Sequence, residues 1–275
     1  MFFQLLNKSG GFMFPDLIKI GDFTIHTYGV MVALGMLVSF FVALYFSKKE
    51  GIKVSHAENM FFYTITGGII GARIAYILEH PEEFKSFWDY IAFWKGGIDW
   101  FGAFIGGAVV LAFLLFRYKY PVLKIADVAG ISVVIGHAIG RIGCTCAGCC
   151  HGKPVPEDSP FKDIAITFPE HPDTAAPPGI PLYPTQPAEA VGNFLIFLIL
   201  FFLYKRKSFD GEIFSLYMVF YGIERFLLEF WRGVTPPIPG IGLTWNQIVS
   251  LGMVVIGIGI FIYGFSTKRE RHEAV

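Results

Sequence analysis

Seven long apolar stretches constrain this chain more than any other feature of its sequence. A helix needs about 20 mostly apolar residues to cross the hydrocarbon core of a bilayer, and each stretch has about that length. The stretches cover residues 28–46, 60–78, 98–116, 125–143, 188–204, 213–230 and 247–265. Only 16% of all residues are charged, against about 25% in soluble domains. The sequence therefore predicts an all-α, polytopic membrane protein of about seven transmembrane helices.

The basic residues between the stretches predict the orientation of the chain. Three lysines or arginines follow each of the first, third, fifth and seventh stretches, and basic loops remain on the cytoplasmic side. We therefore expect the N-terminus outside and the C-terminus in the cytoplasm. The apolar run at residues 1–6 is too short for a cleavable signal peptide.

The chain is predicted to form a single integral-membrane domain over residues 1–275. Its longest non-helical segment covers about residues 144–187, on the predicted outer side, and is rich in proline and polar residues. A loop of that length is usually functional or disordered, so we expect the function at the outer face. The formal net charge is zero, which indicates no nucleic-acid partner.

Ionisable residues lie inside three predicted spans: Arg73 in the second, Arg141 in the fourth, and Glu224, Arg225 and Glu229 in the sixth. Each costs roughly 2.5–3.5 kcal/mol on insertion scales, and such residues pair with one another or mark a site. Arg225 and Glu229 are four apart and share a helical face, so a buried ion pair is one interpretation. The other is a phosphate site for a phospholipid head group, because one pair cannot neutralise three arginines and guanidinium groups bind phosphate through paired hydrogen bonds.

A series of short motifs resembles a known family. Each motif is weak alone, but their order and their placement on the seven spans are specific. On them the chain resembles the bacterial prolipoprotein diacylglyceryl transferases over nearly its whole length. The motifs are Tyr28-Gly29, Gly71-Ala72-Arg73, Gly96-Gly97, Gly140-Arg141-Ile142-Gly143, Tyr183-Pro184-Thr185-Gln186 with Glu189, Tyr221-Gly222-Ile223-Glu224-Arg225-Phe226, Glu229-Phe230-Trp231-Arg232, and Gln247 with Ser250.

The resemblance implies a multi-pass transferase of the bacterial inner (cytoplasmic) membrane that works on membrane lipid. The family moves a diacylglyceryl group from phosphatidylglycerol to the thiol of a lipobox cysteine in a prolipoprotein signal peptide, and glycerol phosphate leaves. The reaction needs a base, because a thiol is mostly protonated near neutral pH. It also needs fixed positive charge at the departing phosphate. No metal or organic cofactor is implied.

The resemblance also implies which residues form the site. Arg141 and Arg225 are expected to hold the departing phosphate, and Glu229 is expected to orient Arg225. His137 completes the predicted catalytic set as a candidate base. The predicted substrate-binding residues are Tyr28, Arg73, Gly140, Gly143, Gln186, Glu189 and Arg232.

The chain departs from the family pattern near the end of the fourth span. The family reads Gly-Arg-x-Gly-Asn-Phe-x-Asn-x-Glu-x-x-Gly, and here Cys144, Ala147 and Cys149 replace the two asparagines and the glutamate. A second departure is Phe101, which stands where the family commonly has a histidine often assigned as the base.

Two histidines are candidate replacements for that missing base. His137 lies four residues before Arg141, on the same helical face, and His151 follows the cysteine-rich segment. His137 has a second interpretation as a buried histidine whose hydrogen bonds are satisfied.

All four cysteines lie in one short segment, at Cys144, Cys146, Cys149 and Cys150. Disulfides are one interpretation, since the segment is predicted to face an oxidising compartment. A zinc site with His151 is another, because thiolates and imidazole are zinc ligands, although the spacing fits no standard two-pair pattern. A reactive thiol or a packing role is the third.

Two other functions remain open at this point. The cysteine-rich segment and the missing histidine are compatible with a paralogue that uses the same phospholipid site for another acceptor. A non-enzymatic transporter or metal-redox membrane protein is the second alternative, which the absence of an inverted hydropathy repeat disfavours.

Overall fold

The computed structural model describes residues 15–20, 23–91, 97, 99–172 and 174–273. Most of these residues are helical, because a chain in lipid has to satisfy its backbone N–H and C=O groups internally. In the described part the α-helices are α1 (Thr27–Lys49), α2 (Val54–Glu79), α3 (Phe87–Ile91), α4 (Trp100–Tyr118), α5 (Val122–Ala147), α6 (Thr185–Tyr204), α7 (Glu212–Leu228) and α8 (Trp245–Glu273).

The predicted all-α membrane architecture is confirmed, and each predicted span coincides with a long helix. Six helices of the described chain are long and apolar enough to cross a membrane: α1, α2, α4, α5, α6 and α8. The remaining long helix, α7, has 17 residues and carries Glu224 and Arg225. The number of crossings and the orientation of the termini stay predictions. The run at 1–6, Gly96 and Ile98 lie outside the described residues.

The connection between α5 and α6 is shorter than the predicted segment 144–187. Helix α5 continues to Ala147, and the Thr145 hydroxyl bonds back to the carbonyl oxygen of Arg141 at 2.9 Å. Helix α6 begins at Thr185 and holds Pro187 in its first turn, where a missing N–H costs nothing because no helical partner exists for it. Both predicted limits are therefore wrong by a few residues.

Short strands and a small core organise that connection. Near the N-terminus, β1 (Asp16–Ile20) and β2 (Phe23–His26) form an antiparallel hairpin. Within the connection, β3 (Ile166–Thr167) pairs antiparallel with β4 (Pro181–Leu182). Phe168 and Leu182 are among the buried side chains that hold the connection together.

The chain divides into two compact units. One is Ala43–Ile125, and the other comprises the described residues up to Val42 together with Ala126–Val275. The single domain that the sequence suggests stays a prediction.

Glycines set the approach of α2 and α4 within the unit Ala43–Ile125. A β-carbon on Gly71 would lie 2.9 Å from the Cα of Gly106 and would also collide with the carbonyl oxygen of Gly102. Helix association in lipid depends on such close packing, because lipid tails are as apolar as the side chains themselves.

We expect Gly71→Ala to destabilise the protein by about 1–3 kcal/mol, the usual cost of overpacking, because α2 and α4 must separate to admit the methyl group. Thermal unfolding in detergent measures the effect. Gly259→Ala in α8 is the matched control, since a β-carbon there meets no atom within 4 Å in the described part of the chain. Equal loss of stability in both variants would contradict this account.

In the other unit, buried polar contacts fix the start of α7. Asp127, which is fully buried on α5, accepts the backbone N–H groups of Gly211 at 2.7 Å and Phe214 at 2.8 Å. Lys207 Nζ lies 2.9 Å from the same carboxylate and neutralises it. The carboxylate thus caps the helix N-terminus, where orphan N–H groups favour an anion. This contact sets the position of the helix that carries Arg225.

Candidate functional site

Arg141 lies near the end of α5 and contacts three groups at once. Its Nη2 is 2.9 Å from Oε1 of Glu189 on α6. Its Nε donates to His137 Nε2, one turn earlier, at 3.1 Å, and its Nη1 donates to Cys144 Sγ at 3.9 Å. A planar guanidinium with a fixed fork of donors is suited to such a junction.

Glu189 connects Arg141 to a second arginine. It is only 1% exposed, and its Oε2 lies 3.8 Å from Nη1 of Arg232, which follows α7. A buried carboxylate is stable only with compensating charges and hydrogen bonds. The two arginines supply the compensating charge.

Glu229 makes the corresponding connection to Arg225. Its Oε2 is 2.5 Å from Arg225 Nη1 and 3.6 Å from Arg232 Nε, so the pair predicted from the four-residue spacing is present. Its Oε1 accepts hydrogen bonds from Thr244 Oγ1 at 3.0 Å and Asn246 Nδ2 at 2.8 Å. Sequence reasoning missed both of these partners.

The start of α8 explains why Thr244 and Asn246 are in place. Thr244 N–H donates to Gln247 Oε1 at 3.0 Å, and Gln247 N–H donates to Thr244 Oγ1 at 3.3 Å. This reciprocal pair is a capping box, for which Thr-x-x-Gln is the sequence signature. The signature was available in the sequence, and its threonine also donates to the site carboxylate.

The segment that follows α5 is tied to the same cluster by backbone contacts. Gln186 Nε2 donates to the carbonyl oxygen of Cys149 at 3.0 Å. The carbonyl oxygen of His151 accepts from Gly233 N–H at 3.1 Å, and Gly152 pairs with Arg232 in an antiparallel bridge. The cysteine-rich segment is therefore held against the start of α6 and the residues after α7.

One donor of the arginine cluster has no acceptor among the residues that the structure describes. The cluster consists of Arg141, Arg225 and Arg232, which face Glu189 and Glu229. Arg232 is 6% exposed, and its Nε–H has no hydrogen-bond acceptor among the described residues. Buried donors are almost always satisfied, so the cluster lacks an acceptor that an anion would supply.

Glu224 lies apart from this set of contacts. Both its carboxyl oxygens are buried without a hydrogen-bond partner in the part of the chain that is described. The carboxyl group faces Gly192 on α6, where a β-carbon would lie 2.6 Å from Glu224 Cδ. Gly192 therefore makes the room in which this side chain fits.

The two candidate bases differ in which ring nitrogen is available. Arg141 Nε is a donor only, so His137 Nε2 must accept and its lone pair is already used. His151 Nδ1 lies 2.9 Å from the carbonyl oxygen of Gly152, which can only accept, so Nδ1 carries the proton and Nε2 is the basic nitrogen. The hydrogen-bond pattern favours His151 as the base and His137 as a support for Arg141.

Three other predicted substrate residues occupy the beginning of α1 and the end of α5. A β-carbon on Gly143 would lie 2.9 Å from Met31 Cβ and 3.4 Å from Tyr28 Cδ2, so Gly143 lets Tyr28 pack closely. A β-carbon on Gly140 would meet no atom of the described residues within 4 Å. Open space therefore lies beside Gly140, which directly precedes Arg141 in the chain.

Arg73 belongs to the unit Ala43–Ile125 and contacts backbone carbonyl groups there. Its Nη1 donates to Gly97 O at 2.6 Å and its Nε to Tyr90 O at 3.2 Å. Nη2 donates to Asp89 O. These bonds hold the segment around α3, and the role of Arg73 in substrate binding stays a prediction.

The cysteines converge after α5. The sulfur atoms of Cys144, Cys149 and Cys150 lie within 4.8 Å of one another, and these three cysteines form no disulfide within the described residues. Hydrogen bonds from the thiols of Cys144 and Cys149 lower the pKa of Cys150 far below its ordinary value. The positive charges of Arg232 and Arg141 act in the same direction.

The fold and the site together define a multi-pass membrane protein with a buried cluster of arginines bridged by glutamates. Residues 15–263 match the family described as prolipoprotein diacylglyceryl transferase. The chain belongs to this family and is a transferase.

Named relatives agree with this assignment. The phosphatidylglycerol–prolipoprotein diacylglyceryl transferase of Clostridium tetani is 34% identical, covering 90% of this chain and 97% of the relative. The protein named phosphatidylglycerol–prolipoprotein diacylglyceryl transferase 2 of Clostridium perfringens is 32% identical, covering 93% and 96%. The enzyme of Thermotoga maritima is 31% identical, covering 93% and 86%.

Proposed function

We propose that this chain transfers the diacylglyceryl group of phosphatidylglycerol to the thiol of a lipobox cysteine in a prolipoprotein, in the bacterial inner membrane. The names of the relatives supply the two substrates. The observation that carries the proposal is the buried arginine cluster, in which the Arg232 Nε–H has no acceptor among the described residues.

The arginines suit the leaving group of this reaction. As the carbon–oxygen bond of the lipid breaks, its electron pair goes to the phosphate of the departing glycerol phosphate. Arg141, Arg225 and Arg232 offer fixed donors and charge to that oxyanion in a buried site, where such interactions are strong. The unpaired Nε–H of Arg232 finds its acceptor in a phosphate oxygen.

The glutamates hold those donors in place before the substrate arrives. Glu189 spans Arg141 and Arg232, whereas Glu229 spans Arg225 and Arg232. Thr244 then fixes Glu229 from the start of α8. Donors that are oriented in advance cost no reorganisation during the reaction. The carboxylates are therefore positioning residues in this proposal.

The attacking thiol must lose its proton. His151 Nε2 takes that proton, because its Nδ1–H is already bonded to Gly152 O. The thiolate then forms the new carbon–sulfur bond at the glycerol carbon that loses the phosphate. His151 thereby performs the proton transfer that the family histidine cannot perform here, where Phe101 stands instead.

Other predicted residues would bind the lipid around the reacting atoms. Gly140 leaves space for the head group. Gln186 is 1% exposed, and its Oε1 is without a hydrogen-bond partner within the described ranges, so it can accept a bond from a head-group hydroxyl. Tyr28 packs on Gly143 at the start of α1 and completes this set.

The test is an assay of the purified protein with phosphatidylglycerol labelled in its acyl chains and a lipobox peptide. We expect label on the peptide through a thioether, and none on a matched peptide whose cysteine is replaced by serine. Absence of transfer by correctly folded protein contradicts the proposal. Failure to complement a transferase-depleted strain, with lipid still consumed in vitro, would favour a different acceptor.

A further inference from the structure

The three converging thiols need an explanation beyond transfer chemistry. Cys144 is in the last turns of α5, whereas Cys149 and Cys150 follow that helix. Gly148 at φ 69° and Cys150 at φ 58° both have left-handed backbone conformations, which turn the chain so that the three sulfurs meet. A non-glycine residue is uncommon in that conformation.

The arrangement is that of a three-thiolate metal site. Zinc binds cysteine sulfur at about 2.3 Å in tetrahedral geometry, so its sulfur ligands lie about 3.8 Å apart. The sulfurs here lie within 4.8 Å of one another and need to contract by only about 1 Å. Soft thiolates favour zinc over magnesium or calcium, which prefer oxygen ligands.

Positive charge beside the sulfurs favours their thiolate form. Arg141 Nη1 donates to Cys144 Sγ at 3.9 Å. Backbone contacts also anchor the ligand segment, since Gln186 donates to Cys149 O at 3.0 Å and Thr185 Oγ1 to Cys150 O at 3.4 Å. Such outer contacts orient metal ligands and support their affinity.

We propose that Cys144, Cys149 and Cys150 bind one zinc ion and leave its fourth position open for the acceptor thiol. Three protein ligands with one open position are typical of catalytic zinc, whereas structural zinc has four. The function of this open position depends on the transfer reaction proposed above.

The zinc would prepare the thiol for attack. The acceptor thiol binds the ion and gives its proton to the base assigned above, because metal coordination strongly favours the thiolate. The thiolate then attacks the glycerol carbon, a carbon–sulfur bond forms, and the carbon–oxygen bond breaks with its electrons moving to the phosphate. The thioether product is uncharged and leaves the ion.

The position of the cluster supports this order of events. Arg141 contacts both Cys144 and Glu189, so one guanidinium links the three sulfurs to the arginines that hold the phosphate. The nucleophile and the leaving group of a displacement must both be held close to one carbon. The contacts of Arg141 place the two binding regions next to one another.

The experiment begins with metal content. The full-length protein is purified under reducing, anaerobic conditions, and zinc is measured by mass spectrometry. The bound zinc is then replaced by cobalt, and the thiolate-to-cobalt charge-transfer absorption is recorded. We expect one zinc per chain and a loss of most metal in Cys149→Ser and Cys150→Ser. Cys146→Ser is the matched control and keeps the metal, since Cys146 is outside the converging set.

Activity separates this inference from the proposed function. Zinc binding without any transfer to a lipobox peptide would support the metal site and contradict the proposed transferase function. Full transfer by chelated, metal-free protein would defeat the thiol-activation role. Absence of metal from reduced protein, with disulfides found among these cysteines by mass mapping, would overturn the site itself. Perturbation of the cobalt spectrum by a lipobox peptide, and none by its serine counterpart, is the expected sign of the open position.

Discussion

Arg141→Ala should lower the rate of diacylglyceryl transfer by at least about 10²–10³-fold, the usual effect of removing one donor to a developing oxyanion. The side chain contributes both charge and a fork of donors, and it also aligns Glu189 at 2.9 Å. Arg225→Ala should have an effect of the same order, because it removes the partner of Glu229. Transfer from labelled phosphatidylglycerol in detergent measures both.

Loss of fold has to be separated from loss of chemistry in these variants. Among the described residues, Arg141→Ala leaves the buried Glu189 with Arg232 at 3.8 Å and His137 Nε2 at 3.6 Å, and breaking a buried pair commonly costs about 3–5 kcal/mol. Arg141→Lys retains the charge and loses the fork, so we expect it to fold and remain poorly active. Arg117→Ala, at an exposed position near the end of α4, is the control and should be fully active. Full activity of both alanine variants would refute the assigned roles.

His151→Gln should reduce transfer by about 10²–10⁴-fold, the range for loss of a positioned general base. The residual rate should rise with pH, since an ordinary thiol ionises near pH 8.5 and then needs less help from a base. A pH profile of the transfer rate, compared with that of the unaltered protein, measures this rescue. A merely structural role for His151 would lower the rate without altering the profile.

His137→Gln is the matched comparison for that experiment. His137 accepts from Arg141 Nε at 3.1 Å, and a glutamine side chain can also accept, so we expect a smaller loss and an unaltered pH profile. Equal losses in both variants, with the same profile, would remove the distinction between base and support. A larger effect of His137→Gln would reverse the assignment.

Local patterns were sufficient for the helices and for contacts within a helix. The seven apolar stretches coincide with long helices, because length and hydrophobicity alone decide whether a segment is stable in lipid. The Arg225–Glu229 and His137–Arg141 contacts follow from the four-residue spacing, which places side chains on one face. The motifs also indicated Glu189 and Arg232 as site residues.

Contacts between distant segments were not available from such patterns. Thr244 and Asn246 hold Glu229 from the start of the next helix, a relation that has no sequence period. The limits of the α5–α6 connection were also misplaced. A proline such as Pro187 predicts the end of a helix unless its position in the first turn of a helix is already known. Sequence spacing likewise could not show which of four cysteines converge.

The amino-acid sequence by itself determined that the chain is helical and enters the membrane, and which charged residues it carries there. Those properties depend on local hydrophobicity and helical periodicity. Only the tertiary structure decided that Glu189 joins Arg141 to Arg232, that His151 Nδ1 bonds to Gly152 O, and that three thiols meet. The physical reason is that these arrangements depend on how helix ends and their connections are packed, which involves residues far apart in the chain.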